Sequence, residues 1–234
     1  MRIFISPLAQ GDLVVHGDEH HYLSRVRRAR VGDEIEILDG EGKRARAVIT
    51  TMRENETALS VGAVQEISDA PPRVRVLIPW IKGDRMDVCL EKLVEVGADE
   101  IIVWPAARAV VKLDGERRVA RIAHHQAALQ AAARQCGRAA VPTIAAADSL
   151  GAAIAAVPNS GARFVLDPLA DRAAFAATGD DVTFVSGPEG GLAPAELDAL
   201  AAAGFIGVGL GPRVLRAETA PVIAVALIRG ATSS

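Results

Sequence analysis

The chain has 234 residues, half of them apolar, and a formal net charge of −3 at pH 7. A chain of this length and composition can bury a large core, which excludes an intrinsically disordered protein. No apolar run approaches the roughly 20 residues of a membrane-spanning helix, which excludes an integral membrane protein of the helical type. Cys89 and Cys136 form no CxxC pair, and we therefore expect a reducing, cytoplasmic environment.

The first 67 residues contain short segments of β-strand character, separated by turn residues: RIFIS, EIEILDG, GKRARAVITTM and ALSVGAVQEI. Such segments predict a small β-barrel or sandwich. After the first segment, HHYLSRVRRA carries Tyr22, Leu23 and Val26 at helical spacing. This spacing predicts a short helix that buries these three side chains and turns its arginines outward.

The pattern changes after SDAPP at residues 68–72, where two prolines interrupt regular structure. We therefore predict a first domain at 1–70 and a second at 71–234. In the second domain, apolar strand-length runs alternate with helix-length stretches, which predicts an α/β fold with a parallel sheet and helices on both faces. The predicted strands are VRVLIP, EIIVW, RFVLD, VTFVS and FIGVGL.

Two helices of the second domain are predicted from their residues. A helix is predicted from Asp84 to Val96, because the apolar residues of this segment fall on one helical face and Gly97 is a typical helix stop. The alanine-rich stretch from Arg117 to Gln135 predicts a longer helix.

Charge is distributed unevenly along the chain. Residues 71–140 carry 12 Lys and Arg against 8 Asp and Glu, whereas 1–70 carry 9 against 12 and 141–234 carry 5 against 9. An anionic partner is therefore expected at the middle segment and at the basic cluster Arg25, Arg27, Arg28 and Arg30. On its own, such a cluster is more often a solvated helix end than a binding surface.

Two glycine-rich loops follow predicted strands near the C-terminus. SGPEGGL at residues 186–192 lies between a strand and a helix, an arrangement that brings backbone N–H groups close to a nucleotide-like ligand. An ordinary βα turn explains the same glycines. The second loop runs from FIGVGLG into PRVLRAETAPV, with Pro221 in the first turn of a final helix. Pro212 breaks the GxGxxG spacing, so a nicotinamide site is disfavoured. Loops at the carboxyl edge of one sheet converge where ligands bind.

Paired histidines occur twice, at His20–His21 and His124–His125. Adjacent residues point to different sides of a helix or strand, and no cysteine lies at ligand spacing. We therefore expect no metal site.

GPEGGL at 187–192 and LGPRVLRAETA at 210–220 resemble the signature of the SPOUT-class methyltransferases that methylate N3 of a uridine in 16S ribosomal RNA. The resemblance extends to HHYLSRVRRARVGDEI, KGDRMDVCLEKLVEVGADEI and RQCGRAAVP, in the expected order over nearly the whole chain. It implies a PUA-like N-terminal β-barrel, a SPOUT α/β domain with a C-terminal trefoil knot, and a homodimer. It also implies 16S rRNA or the assembled small subunit as the substrate.

Carried over by position, the resemblance implies an S-adenosylmethionine site formed by Leu166, Gly187, Glu189, Gly190, Gly191, Leu210, Gly211, Leu215, Arg216 and Thr219. The chain departs from the family at Ala193, where a hydroxyl residue is usual, and at Arg134, where an acidic residue is common. The missing hydroxyl removes a helix cap worth about 1 kcal/mol.

Uracil N3 must lose its proton to become nucleophilic. We predict that Arg216 stabilises the resulting anion as an oxyanion-type donor. Glu189 and Glu218 are candidate bases, although carboxylates beside glycine loops more often accept backbone N–H bonds. Contacts with RNA phosphates are predicted for Arg25, Arg27, Arg28, Lys82, Arg85, Arg134 and Arg138.

Other functions fit parts of the pattern. A ribose 2′-O methyltransferase would share the fold but needs a base for a hydroxyl, and a non-catalytic RNA-binding protein would not need two glycine loops. A dinucleotide oxidoreductase is weakened by Pro212. Binding of S-adenosylmethionine separates the methyltransferases from the last two.

Overall fold

The computed structural model describes residues 1–111, 115–170 and 179–232. The chain forms two compact units. The N-terminal unit consists of Met1–Ser68 and Gln130–Val141, and the C-terminal unit consists of Asp69–Leu129 and Pro142–Ser234. Residues 130–141 thus group with the N-terminal unit, although the intervening residues 69–129 belong to the C-terminal unit.

Six strands of the described chain form one mixed sheet in the N-terminal unit, in the order β1-β3-β4-β5-β2 with β6 paired to β4. β1 and β3 run parallel, and the other pairs are antiparallel. The strands are β1 (Arg2–Phe4), β2 (Gly11–Val15), β3 (Glu34–Leu38), β4 (Lys43–Met52), β5 (Thr57–Val61) and β6 (Gln65–Glu66).

Alternating burial along β4 shows how the N-terminal core forms. Ala45, Ala47 and Ile49 are buried, whereas the residues between them are exposed. Because successive side chains of a strand point to opposite faces, one face of β4 joins the core and the other faces solvent. Ile3 and Leu59 complete the same apolar cluster.

The short helix predicted near residue 20 is present, with one difference. Helix α1 (Gly17–His21) continues as a π-helical turn over Tyr22–Val26, in which the N–H of Arg27 donates to the carbonyl of Tyr22. Leu23 is buried as predicted, but Val26 is 60% exposed. The expectation that Val26 faces the core was wrong, because the wider π turn changes the angle between successive side chains.

The C-terminal unit contains a sheet whose six described strands are all parallel, in the order β12-β10-β11-β7-β8-β9. All five strands predicted there are present. β9 was not predicted, because its four residues include two alanines, which are poor strand formers. The strands are β7 (Arg73–Pro79), β8 (Glu100–Trp104), β9 (Thr143–Ala146), β10 (Ala162–Leu166), β11 (Asp181–Val185) and β12 (Ile206–Val208).

Helices pack on this sheet in two groups. α2 and α6 contact each other, and α6 contacts β7 and β11. Side chains of α4 and α5, including Leu150, Ala153 and Leu200, share an apolar cluster with Leu77 of β7 and Ile102 of β8. The helices are α2 (Arg85–Val96), α3 (Gly115–Cys136), α4 (Leu150–Ala155), α5 (Pro194–Ala202) and α6 (Ala220–Thr232).

The two predicted helices match α2 and α3 within two residues at each end. Gly97 ends α2 in the left-handed conformation, at φ 95°, as expected of a C-terminal glycine. In the part of the chain that is described, no helix has the length and apolarity needed to cross a membrane.

Candidate functional site

Three strand ends lie side by side at the carboxyl edge of the C-terminal sheet. β10 pairs in parallel with β11 on one side and with β12 on the other. Past the end of β10, the N–H of Asp167 donates to the carbonyl of Val208 at 3.0 Å. The loops that follow these strands therefore start from neighbouring positions, which is where ligands bind in open α/β sheets.

The first loop, residues 186–192 after β11, is shaped by its glycines. Gly191 has φ 71°, a conformation that favours glycine, and its N–H closes a turn onto the carbonyl of Pro188. A Cβ on Gly190 would come within 3.2 Å of the Cβ of Arg108. Both positions therefore disfavour a side chain.

A neighbouring segment, residues 105–110 after β8, holds this loop in place. Arg108 Nη1 donates to the carbonyls of Gly190 and Leu192, at 3.2 and 3.3 Å. Glu196 of α5 accepts from the N–H of Ala107 at 2.8 Å and from that of Ala193 at 2.7 Å. Sequence reasoning missed Arg108 and Glu196. Glu196 had a detectable signal, because a glutamate at the third position of a helix commonly folds back onto the preceding backbone.

The second loop, after β12, ends in a tight turn that begins α6. The N–H groups of Thr219 and Ala220 both donate to the carbonyl of Arg216. Pro221 is the second residue of α6, in its first turn as predicted. Arg216 therefore lies in the turn four residues before the first residue of α6, with its side chain 76% exposed.

Four charged side chains join the two loops to α2; we call Arg85, Glu189, Arg216 and Glu218 the charge cluster. Arg85 lies 3.4 Å from Glu189 and 4.0 Å from Glu218. Arg216 lies 3.8 Å from the other oxygen of Glu218. One arginine at the start of α2 thus contacts a carboxylate from each loop.

Glu218 is the most buried member of the charge cluster, with 13% of its side chain exposed. Its Oε2 is buried without a hydrogen-bond partner among the described residues. The pKa of the Cys89 thiol is raised to about 12, mainly by burial and to a smaller extent by the negative charge of Glu218. Cys89 lies one turn after Arg85 on α2, so Glu218 faces that side of the helix.

The predicted cofactor residues lie on the two loops and the adjoining strand end. Leu166 ends β10 and is buried, whereas Leu210 and Leu215 are half-buried and Thr219 is exposed. A Cβ built on Gly191 or Gly211 would meet nothing within 4 Å. Open space therefore adjoins both loops.

The predicted RNA-contacting residues differ in their surroundings. Arg25, Arg27 and Arg28 are exposed and form no ion pair with the described part of the chain. Arg28 has φ 52°, which is unusual for a residue other than glycine. Lys82 is exposed, whereas Arg138 is half-buried in the turn after α3.

Arg134 and Arg85 are already engaged. Arg134 pairs with Glu19, and its guanidinium lies 4.9 Å from the ring centroid of Tyr22 and 5.6 Å from that of Phe4. Arg85 belongs to the charge cluster. Contact of these two residues with RNA stays a prediction, and it would compete with the pairs they already form.

Profiles of two protein families match the sequence. The RNA methyltransferase domain matches residues 68–229, and the RNA methyltransferase PUA domain matches residues 15–59. The first match covers more than half of the chain and includes both glycine loops. The chain belongs to the RNA methyltransferase family. This RNA methyltransferase thus combines the α/β domain that carries the charge cluster with an N-terminal PUA-like domain.

Named relatives and solved structures support the same family. The ribosomal RNA small subunit methyltransferase E of Mycobacterium bovis is 33% identical, with 94% of this chain and 87% of that protein covered. The protein of the same name from Bacillus subtilis is 28% identical, covering 92% and 88%. The structure of ribosomal RNA small subunit methyltransferase E from Neisseria gonorrhoeae, bound to S-adenosyl methionine, has a TM-score of 0.88 at 26% identity, covering 98% and 97%. A methyltransferase from Legionella pneumophila in complex with the same cofactor also has a TM-score of 0.88, at 25% identity, covering 98% and 97%.

Proposed function

We propose that this RNA methyltransferase transfers a methyl group from S-adenosylmethionine to N3 of a uridine in the 16S rRNA of the small ribosomal subunit. The observation that carries the proposal is the charge cluster, in which Arg85 contacts a carboxylate from each glycine loop at the carboxyl edge of the sheet. Relatives named for small-subunit rRNA methylation, at 28–33% identity over most of the chain, support the substrate class.

The residues beside the loops suit S-adenosylmethionine. Open space adjoins Gly191 and Gly211, where a side chain would otherwise project, so a ligand can approach the backbone there closely. Leu166, Leu210 and Leu215 offer apolar surface for an adenine ring. When bound, the cofactor supplies a methyl group already activated by a sulfonium, so positioning the acceptor is the main task left to the protein.

The surroundings of Arg216 support a role for it in the reaction. Deprotonated uracil N3 carries a negative charge that spreads onto two carbonyl oxygens, and a guanidinium stabilises such charge. Arg216 is exposed, and Glu218 lies 3.8 Å from it. We assign to Glu218 the role of orienting Arg216, because one of its oxygens faces Arg216 while the other faces Arg85. Glu189 is more exposed, and we assign it to accepting the N3 proton.

We propose that the N-terminal domain, with its boundary near residue 70, holds the RNA through Arg25, Arg27 and Arg28. Long basic side chains contact phosphates without reading sequence.

The homodimer and the knot implied by the family resemblance stay predictions. A partner subunit could cover the exposed apolar side chains of Leu169 after β10, Ile206 of β12 and Val214 of the second loop.

Identification of the methylated nucleoside tests this function. Small subunits lacking the modification are incubated with the protein and labelled S-adenosylmethionine, and the digested RNA is resolved by chromatography. We expect label in 3-methyluridine. Label in a 2′-O-methylated nucleoside would instead support the ribose methyltransferase, and absence of label with intact cofactor binding would exclude methylation of this substrate.

A further inference from the structure

Three side chains that commonly bind metals meet between α2 and α3. Asp87 Oδ1 lies 3.0 Å from His125 Nδ1 and 3.4 Å from His124 Nε2. One ligand atom from each of the three residues lies within 4.8 Å of the other two. Asp87 comes two residues after Arg85, on a different face of α2 from the charge cluster.

The sequence argued against a metal here, because adjacent histidines point to different sides of a helix. The structure removes that objection. The two imidazole rings are tilted by 59°, with their centroids 5.4 Å apart, and both nevertheless reach Asp87. A carboxylate from α2 therefore lies where the two histidines of α3 can share it as a third ligand.

The two distances from Asp87 fit a tetrahedral metal ion. Ligand bonds to Zn²⁺ of about 2.0–2.1 Å place neighbouring ligand atoms about 3.3 Å apart, close to the 3.0 and 3.4 Å observed around Asp87. We propose that Asp87, His124 and His125 bind a divalent transition-metal ion, for which Zn²⁺ is the best match. Two nitrogens and one carboxylate favour Zn²⁺ over Mg²⁺ or Ca²⁺, which prefer oxygen ligands.

His125 is the buried ligand of the proposed site. The His125 side chain is 1% exposed, and its Nδ1 faces Asp87. Nε2 of this ring has no hydrogen-bond partner within the described residues, so Asp87 is its main polar contact.

Exposure of His124 and Asp87 leaves the remaining coordination position open to water. Their side chains are 59% and 39% exposed. An ion held there would fasten α2, the helix that carries Arg85, to α3. We therefore expect the metal to stabilise the C-terminal unit independently of methyl transfer.

The test uses the untagged full-length chain, freed of metal with a chelator and titrated with Zn²⁺ in a calorimeter. We expect one equivalent to bind and the melting temperature to rise, with Mg²⁺ having no effect. Co²⁺ should give the intense visible absorption of a tetrahedral site and quench Trp80, whose ring centroid lies 6.2 Å from that of His125.

Asp87→Asn and His124→Ala should each weaken Zn²⁺ binding by at least about tenfold. Asp87→Asn preserves the shape of the side chain, and His124 is exposed, so both variants should fold. The matched control is His21→Ala, which changes the exposed member of the other histidine pair. Equal Zn²⁺ affinity in all four proteins, no binding to the wild type, or the weak absorption of octahedral Co²⁺ would overturn the proposal.

Discussion

The guanidinium of Arg85 lies 3.4 Å from the carboxylate of Glu189, although one residue begins a helix after β7 and the other belongs to the loop after β11. The same guanidinium reaches Glu218 of the second loop. A charge assigned to RNA binding from the sequence therefore also connects the two loops of the candidate cofactor site.

Replacement of Arg85 should affect cofactor binding more than folding. The pair with Glu189 is partly exposed, so Arg85→Met should lower the free energy of unfolding by less than about 1 kcal/mol. The two loops would lose their shared partner, and the affinity for S-adenosylmethionine, measured by calorimetry, should fall about tenfold or more. Lys92→Ala removes an exposed ion-paired residue of the same helix and should leave that affinity unchanged. Equal affinities in both variants would show that Arg85 does not organise the loops.

Replacement of Arg28 should change stability and RNA binding in opposite directions. Its φ of 52° is unfavourable for a side chain with a Cβ. Arg28→Gly should therefore raise the free energy of unfolding by up to about 1 kcal/mol. The same change removes a proposed phosphate contact and should weaken RNA binding and reduce its salt dependence.

Urea unfolding and RNA binding at several salt concentrations measure the two effects of Arg28→Gly. Arg28→Asn, which tolerates this backbone conformation, serves as a second variant without the charge. Unchanged RNA affinity in both variants would remove Arg28 from the RNA surface.

Ala193 leaves α5 without a side-chain cap. Its φ and ψ of −74° and 154° are those of a residue that precedes a helix, and its methyl side chain cannot accept an N–H of the first turn. Ala193→Ser should raise the free energy of unfolding by about 0.5–1 kcal/mol, because the hydroxyl can accept a backbone N–H of the first turn. Ala199→Ser, at an exposed site inside the same helix, should be neutral or slightly destabilising. A loss of stability in Ala193→Ser would contradict the assigned helix start.

The half-buried pair of Glu19 and Arg134 should make stability depend on pH. Burial raises the pKa of Glu19 above its ordinary value, although Arg134 opposes this and Asp18 adds to it. The folded state therefore binds a proton more tightly than the unfolded state, and stability falls as pH rises through the raised pKa.

Glu19→Gln should remove this contribution, so the wild type should lose stability relative to the variant as pH rises above the ordinary pKa of a glutamate. Glu56→Gln, at an exposed ion pair with Arg53, is the control. Parallel pH profiles for the wild type and Glu19→Gln would contradict the raised pKa.

The strands of the C-terminal sheet were predictable where buried, β-branched residues dominate. VRVLIP and EIIVW show such runs, and both are strands. β2 was missed because it begins with Gly11 and Asp12, which are poor strand formers, and only its last residue is buried. Short strands with weak propensity depend on their neighbours for stability.

Which side chains pair depends on how the helices and strands pack together. This packing cannot be inferred from the residues of any one segment. The glycine loops were recognisable from their residues, but the contact of Arg85 with both loops requires the register of α2 against the sheet. Arg134 pairs with Glu19 because the last turns of α3 group with the N-terminal unit. For the same reason, the meeting of Asp87 with two histidines could not be predicted.

Single-turnover methylation by Arg216→Ala tests most directly whether the guanidinium in the turn before α6 acts on the reacting base. With S-adenosylmethionine and small subunits at saturating concentrations, we predict a rate about 10²- to 10³-fold below that of the wild type, with Arg216→Lys between the two. Cofactor affinity, measured separately, should change much less than the rate. A variant that binds the cofactor and methylates at the wild-type rate would contradict the mechanism.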